Sequence, residues 1–473
     1  MKRVILFAAI ILSYSAFTQP IKRFTTVLNG RCSFLHDGDT VKLQVIKYGN
    51  FYAVGEFNES YISIIKNSKY SFTISHSIPI YFNLELSQRK RMMNLYSYLI
   101  VPGSSVSIDY LKTDSFEFSG KDAKKLAIQF EKRKIRMAGL RGVKDRSPRN
   151  ILSAFATLDS FFIKELAYLR LNKDRLGDTL YTILYADVMG ESGLKIDNFL
   201  PYKFPEVVEV WREALKLYKD PVWEGNDINK LKSNLLQYSY TIANALIARY
   251  KWDSCVLTDQ SFNVINCYRY FVNILEGGLR ERVITTLLYD NKKETASVSY
   301  CLQSTFDFIL SNDFRNLLLS LKGHLTTGSN SFKFQLPDTS GVLFRYDDFK
   351  GKVVLLDFWF TGCMACIELH PKLDSIISMY TKDQLVLVTI SIDKERKKWI
   401  NSIGKKIYTS SNSINLFTDG MGDSHPIIAY YLIASYPTLI LIDKEGKLCN
   451  IPKDPRLDKG ADLVKLIDES LNY

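Results

Sequence analysis

Residues 352–360 read KVVLLDFWF, an almost unbroken apolar run interrupted only by Asp357. A strand this apolar has no polar side to give to water, so it belongs in the centre of a sheet covered on both faces. That confines this part of the chain to an α/β arrangement. QLVLVTISID (Gln384–Asp393) reads as a second buried strand, followed by a polar helix from about Lys394. YPTLILID and GKLCNI flank the turn KEG as a hairpin, and DKGADLVKLIDESL closes as a helix. Cys366, Leu369, Leu373, Ile376, Ile377 and Tyr380 fall on one helical stripe after the first strand. Together these elements predict a compact α/β domain of about 140 residues.

At 473 residues the chain is too long for one core. From Phe24 to Gly120 it alternates β-branched and aromatic residues with Gly, Asn and Pro, as in YSYLIVPGSSVSIDYL, where Pro102-Gly103 marks a turn. A small antiparallel sandwich or barrel is expected over 19–120. From 121 to 325 apolar residues recur three and four apart, as in YSYTIANALIARY, which predicts a helical domain whose aromatic stripes are packing faces. Polar TTGSNS (Thr326–Ser331) reads as the linker into the last domain, 326–473. The net charge of +12 carries no basic tail. The runs QRKR (Gln88–Arg91) and EKRKIR (Glu131–Arg136) read as solvated helix faces, and no nucleic-acid partner is implied.

The first residues, MKRVILFAAIILSYSAFTQP, pair a basic start with an apolar stretch and small residues before Gln19. This is the pattern of a secretory signal peptide over 1–18. The apolar run is shorter than the ~20 residues of a membrane span, which weighs against the alternative of an uncleaved anchor. The mature chain is expected outside the cytoplasm, where disulfides persist.

Two of the seven cysteines, Cys363 and Cys366, sit where the central strand gives way to a helix. Free N–H groups and the helix dipole stabilise an anion there, so Cys363 is the expected attacking thiolate. Cys366, on the core-facing stripe, is placed to resolve a mixed disulfide. Asp357 is a carboxylate inside an apolar strand. It either takes the proton of Cys366 or lies exposed at the strand end or tied to a lysine. Pro437 opens a buried strand, and a cis Tyr436–Pro437 bond there would leave backbone groups free to pair with an extended substrate.

No second CxxC or CxxH completes a zinc site. Ile367 stands where c-type haem attachment needs histidine. His370 reads as an ordinary surface residue. Cys32, Cys255, Cys267, Cys301 and Cys449 read as small buried apolar residues, with a Cys255–Cys267 disulfide left open.

KVVLLDFWFTGCMAC, His370-Pro371, VTISID and YPTLILIDKEGK together resemble the thioredoxin superfamily, in particular TlpA/ResA-like thiol-disulfide oxidoreductases. The lead-in FQLPDTSGVLFRYDDFKGK is similar to that branch, and the resemblance covers Phe332–Tyr473. It implies a thioredoxin fold with Cys363 as nucleophile, Cys366 as resolving thiol, Pro437 as cis-proline and Trp359 packing near the site. Asp357 matches the buried acid. Two residues depart from the pattern. Gly362 replaces the usual tryptophan and opens the surface around Cys363, and Leu369 stands where a glutamate is usual, with Glu368 one place earlier on another face. Upstream, YLIVPGSSVSIDY and FSGK resemble a β domain of unknown function typical of envelope proteins.

The expectation is an exported, periplasmic enzyme that exchanges thiols and disulfides with envelope proteins and an upstream redox partner. It needs no cofactor and no metal, and its substrate groove is formed by Trp359, Gly362 and Tyr436. A thiol peroxidase is the enzyme rival, but Thr361 lies only two residues before Cys363 and its proline is missing. The non-enzyme rival is an envelope scaffold with a non-catalytic thioredoxin-like domain.

Overall fold

The computed structural model describes residues 22–49, 57–86, 95–112, 115–143, 150–199, 216, 218–224, 233–409 and 412–472. The signal-peptide segment 1–18 and the QRKR run lie outside them. The chain divides into two compact units, one holding Ser60–Ala127 and the chain up to Val45, the other Ile46–Glu59 and Ile128–Tyr473.

The N-terminal β region is built of β1 (Phe24–Arg31), β2 (Thr40–Ile46), β3 (Asn58–Ile64), β4 (Lys69–His76), β5 (Ile80–Leu86), β6 (Leu95–Ile100), β7 (Ser105–Lys112) and β8 (Ser115–Ser119). They form two four-stranded sheets, ordered β4-β1-β7-β8 and β3-β2-β5-β6. The β1–β4, β5–β6 and β7–β8 ladders are antiparallel, whereas β1 and β7 run parallel, with Leu28 opposite Val106. Strict alternation on β4, from exposed Lys69 to buried His76, gives its sheet one inner face.

The helical region turns charge inward as well as apolar surface. Beside the long helices Ala123–Gly142, Ile151–Leu171 and Lys173–Gly193, the buried Lys195 ammonium meets Asp159 of the second at 2.7 Å, Ser192 of the third at 3.0 Å, and Asp220 at 2.9 Å. The EKRKIR run is only in part the solvated face expected of it. Its Lys134 does face water in a pair with Glu131, but Lys132 and Arg136 turn in towards Glu165, whose side chain is fully buried. A charged helix face is drawn inward because an acid on the next helix needs a partner.

The C-terminal region carries β9 (Gln335–Pro337), β10 (Leu343–Arg345), β11 (Val353–Trp359), β12 (Leu385–Ser391), β13 (Ser413–Phe417), β14 (Thr438–Ile442) and β15 (Leu448–Asn450). Five of them form a sheet of order β13-β12-β11-β14-β15. β11 is its centre, parallel to β12 and antiparallel to β14, with all seven residues buried. The helix Met364–Ile377 covers one face through Leu369, Leu373, Ile376 and Ile377, packed on Val353, Leu355 and Leu441. Thr326–Ser331 is no loose linker. Gly328 N–H donates to Leu448 O and Leu448 N–H to Ser329 O, each at 2.8 Å, and Ser331 N–H donates to Gly446 O. The segment thus lies along the outer edge of β15, where an unpaired strand edge needs cover.

Replacing Lys195 by Met should leave Asp159 and Asp220 buried without their shared cation. We expect a loss of about 3–5 kcal/mol, read as a lower urea midpoint for the helical signal. An unchanged midpoint would remove the ion cluster from the account of this region.

Candidate active site

The order of strands decides where chemistry can gather. β11, β12 and β13 are parallel, so their carboxyl ends share one rim of the sheet, and antiparallel β14 starts at that rim. Crevices at the carboxyl ends of parallel strands are where α/β sheets bind ligands. Cys363 lies there, four residues past the end of β11.

Cys363 is the N-cap of the helix Met364–Ile377, and its sulfur accepts the Cys366 N–H at 3.1 Å. The two sulfurs are joined as a disulfide with Cα atoms 5.3 Å apart. Cys363 is 5% and Cys366 4% exposed, whereas Met364 between them is 65% exposed. The other described cysteines, Cys255 and Cys267 among them, are free thiols.

Trp359 is fully buried, and its ring stacks on Tyr408 at 4.7 Å. Both rings belong to a cluster with Cys363, Cys366, Trp399 and Phe417, against which Phe360 and Tyr436 pack. The Tyr436–Pro437 bond is cis, and the Tyr436 ring meets Phe360 edge-on at 5.6 Å. Tyr436 therefore packs beside the cysteines, but Trp359 is not the groove residue expected of it: with no exposed surface it can support the site from beneath and cannot touch a substrate. Gly362 is exposed with φ +103°, and a Cβ there would meet nothing within 4 Å. Backbone conformation, rather than crowding, is what favours glycine at this position.

Asp357 is 4% exposed, and its Oδ1 has no hydrogen-bond partner. Burial pushes its carboxyl up to about 7. Alternation along β11 puts it between Leu355, under the Cys366 helix, and Trp359, in the cysteine cluster. It is thus neither exposed at a strand end nor paired with a lysine. Glu368 is exposed and bound to Arg456 at 2.7 Å, while Leu369 is in the core, as the one-residue offset requires. His370 is not a surface residue. It is buried on the Cys366 helix, and desolvation lowers its pKa.

Three side chains that the motif reading passed over complete the rim. The Asp393 carboxylate accepts the Thr361 N–H and hydroxyl and the Ser391 hydroxyl, and the Tyr408 hydroxyl accepts the Gly362 N–H. Asp393 ends the quoted strand VTISID, and its place at a strand's carboxyl end was the one available signal. Among the described residues no cluster of three or more metal-ligating side chains forms, and no described helix is long and apolar enough to cross a membrane.

Residues 351–448 match the family model described as Thioredoxin-like. The chain is similar to the Thioredoxin-like protein YneN of Bacillus subtilis, 29% identical over 124 residues, 26% of this chain and 69% of that protein. It is also similar to the thiol-disulfide oxidoreductase ResA of the same organism, 26% identical over 136 residues, 29% of this chain and 72% of the relative. Among solved structures it resembles the thioredoxin domain of a thiol-disulfide oxidoreductase from Bacteroides vulgatus. That likeness is 28% identical and covers 31% of this chain and 99% of the other, with a TM-score of 0.28.

Asp357 supplies a test of the site's electrostatics. Its folded pKa lies above the unfolded value of 3.8, so the folded state holds a proton that the unfolded chain releases as pH rises from 4 to 7. Asp357 therefore costs stability above pH 7, by up to about 4 kcal/mol, and costs none below pH 3.8. Asp357→Asn should raise the denaturation midpoint at pH 8 and leave it unchanged near pH 4. Equal effects at both pH values would mean that the carboxyl is not held neutral by burial.

A cysteine pair at the head of a helix, a buried strand acid and a family match over residues 351–448 converge: the C-terminal region is thioredoxin-like and is similar to the TlpA/ResA-like thiol-disulfide oxidoreductases.

Proposed function

We propose that the protein is an exported enzyme that exchanges disulfides with envelope proteins through Cys363 and Cys366. The observation that carries the proposal is the Cys363 sulfur at the N-cap, receiving the Cys366 N–H at 3.1 Å. That donor, with the helix dipole, favours a thiolate on Cys363 once the disulfide is opened.

In the reducing direction, the Cys363 thiolate attacks one sulfur of a substrate disulfide. A Cys363–substrate disulfide forms and the other substrate sulfur leaves as thiolate, taking a proton from solvent. Cys366 then loses its proton and attacks the Cys363 sulfur. The bond to substrate breaks, and the Cys363–Cys366 disulfide remains beside a substrate dithiol. Two electrons have moved to the substrate, and a dithiol donor must supply two more for the next turn. With exposed Met364 and Gly362 beside it and Tyr436 at its rim, the crevice suits an extended peptide segment. Asp357 is the base for Cys366: a carboxyl poised near 7 in a dry strand can accept a proton at neutral pH. The sulfurs carry the electrons, so no cofactor is required.

The order of attack is testable by trapping. Cys366→Ser should accumulate a mixed disulfide on Cys363 when the reduced full chain meets a disulfide-bonded protein. Cys363→Ser should accumulate almost none, and both variants should lose at least about a hundredfold of the steady-state exchange rate. Trapping on Cys366 instead would reverse the assignment of nucleophile and resolver.

A further inference from the structure

Thr361 and Gly362, the two residues before Cys363, are held by side chains far away in sequence. The Thr361 N–H reaches both Asp393 oxygens at 3.2 Å, and the Thr361 hydroxyl donates to Oδ2 at 2.7 Å. The single proton of that hydroxyl is thereby used, so its 2.8 Å contact with Ser402 is a bond donated by Ser402. Ser391 donates to the same Oδ2 at 3.0 Å and accepts the Asp393 N–H at 3.1 Å. Lys398 lies 3.8 Å from Oδ1. One residue on, the chain reverses at Gly362, and its N–H turns away to the Tyr408 hydroxyl at 2.8 Å. Cys363 N–H closes the turn on Phe360 O at 3.2 Å.

Three successive N–H groups are thus committed to fixed acceptors. Asp393 and Tyr408 are both about 5% exposed, and the Tyr408 ring is itself pinned on Trp359. Bonds of this kind are expensive to break when buried and have few ways to re-form elsewhere.

Building on the redox reading, we propose that Tyr408 and Asp393 are positioning residues for exchange at Cys363: by fixing Thr361 and Gly362 they hold the Cys363 sulfur against the Cys366 N–H in the first turn of its helix. Neither residue touches the substrate. Their effect is exerted through the 3.1 Å contact from Cys366 N to the Cys363 sulfur, because a thiolate gains from an N–H donor only at short range.

Tyr408→Phe is the cleanest test, since it removes one acceptor atom, keeps the stack on Trp359 and changes no charge. Thr361→Val is the second variant, also neutral, and it leaves the Thr361 N–H on Asp393. In the reduced full chain, alkylation of Cys363 at pH 7 should slow roughly three- to tenfold in Tyr408→Phe. Its pH profile should move to higher pH, with a smaller move in the same direction for Thr361→Val. A merely structural role would lower the urea midpoint and leave the alkylation profile of the folded protein where it was. An unchanged or faster rate in both variants would overturn the positioning role while leaving the redox reading intact. If the wild-type pair neither forms a disulfide nor exchanges with one, the redox reading fails and this inference with it.

Discussion

β11 has no solvent side. All seven of its residues are buried, and both neighbouring strands and the Met364–Ile377 helix are arranged around it. A strand enclosed in this way is rigid, and rigidity at its carboxyl end is what a reactive sulfur needs. The same enclosure makes Asp357 unusual. In a lone strand it would be an ordinary exposed carboxylate, but here desolvation pushes it up to about 7. One constraint therefore sets both the place of Cys363 and the proton affinity of the acid behind Cys366.

From that strand the polar groups sort into two kinds. Asp357 lacks a partner for Oδ1, so its energy depends on its protonation, which suits a group that gains and loses a proton. Asp393 is buried to the same degree but takes three donors and a nearby lysine, which suits a fixed anchor. Two buried carboxylates, one within β11 and one just past the end of β12, thus differ chiefly in their hydrogen bonding. The helical region shows the anchor type again at Lys195, where two acids share one ammonium.

Much of this could be read from the chain itself, and the failures have physical causes. The apolar run at 353–359, the CxxC behind it and the proline before TLILI are local patterns, and each marks the element that the structure shows. The Asp393 and Tyr408 contacts join residues 32 and 46 positions apart, and nothing in local spacing reveals such pairs. β13 escaped because five residues, SINLF, are too short to show a period. The TTGSNS segment carries a loop composition but is held by the edge of β15, and composition cannot report which edge a loop will meet. For EKRKIR, the pattern showed a charged helix but not the buried Glu165 facing it.

The central claim is that Cys363 and Cys366 form a reversible two-electron couple, and equilibrium with glutathione buffers in the full chain tests it most directly. Peptide-level thiol trapping separates this pair from the five other cysteines. The account predicts one disulfide–dithiol transition between about −270 mV, where thioredoxin lies and a reductase is implied, and about −120 mV, the range of a disulfide donor. A pair that stays dithiol, or forms only mixed disulfides with glutathione, in every buffer would contradict it.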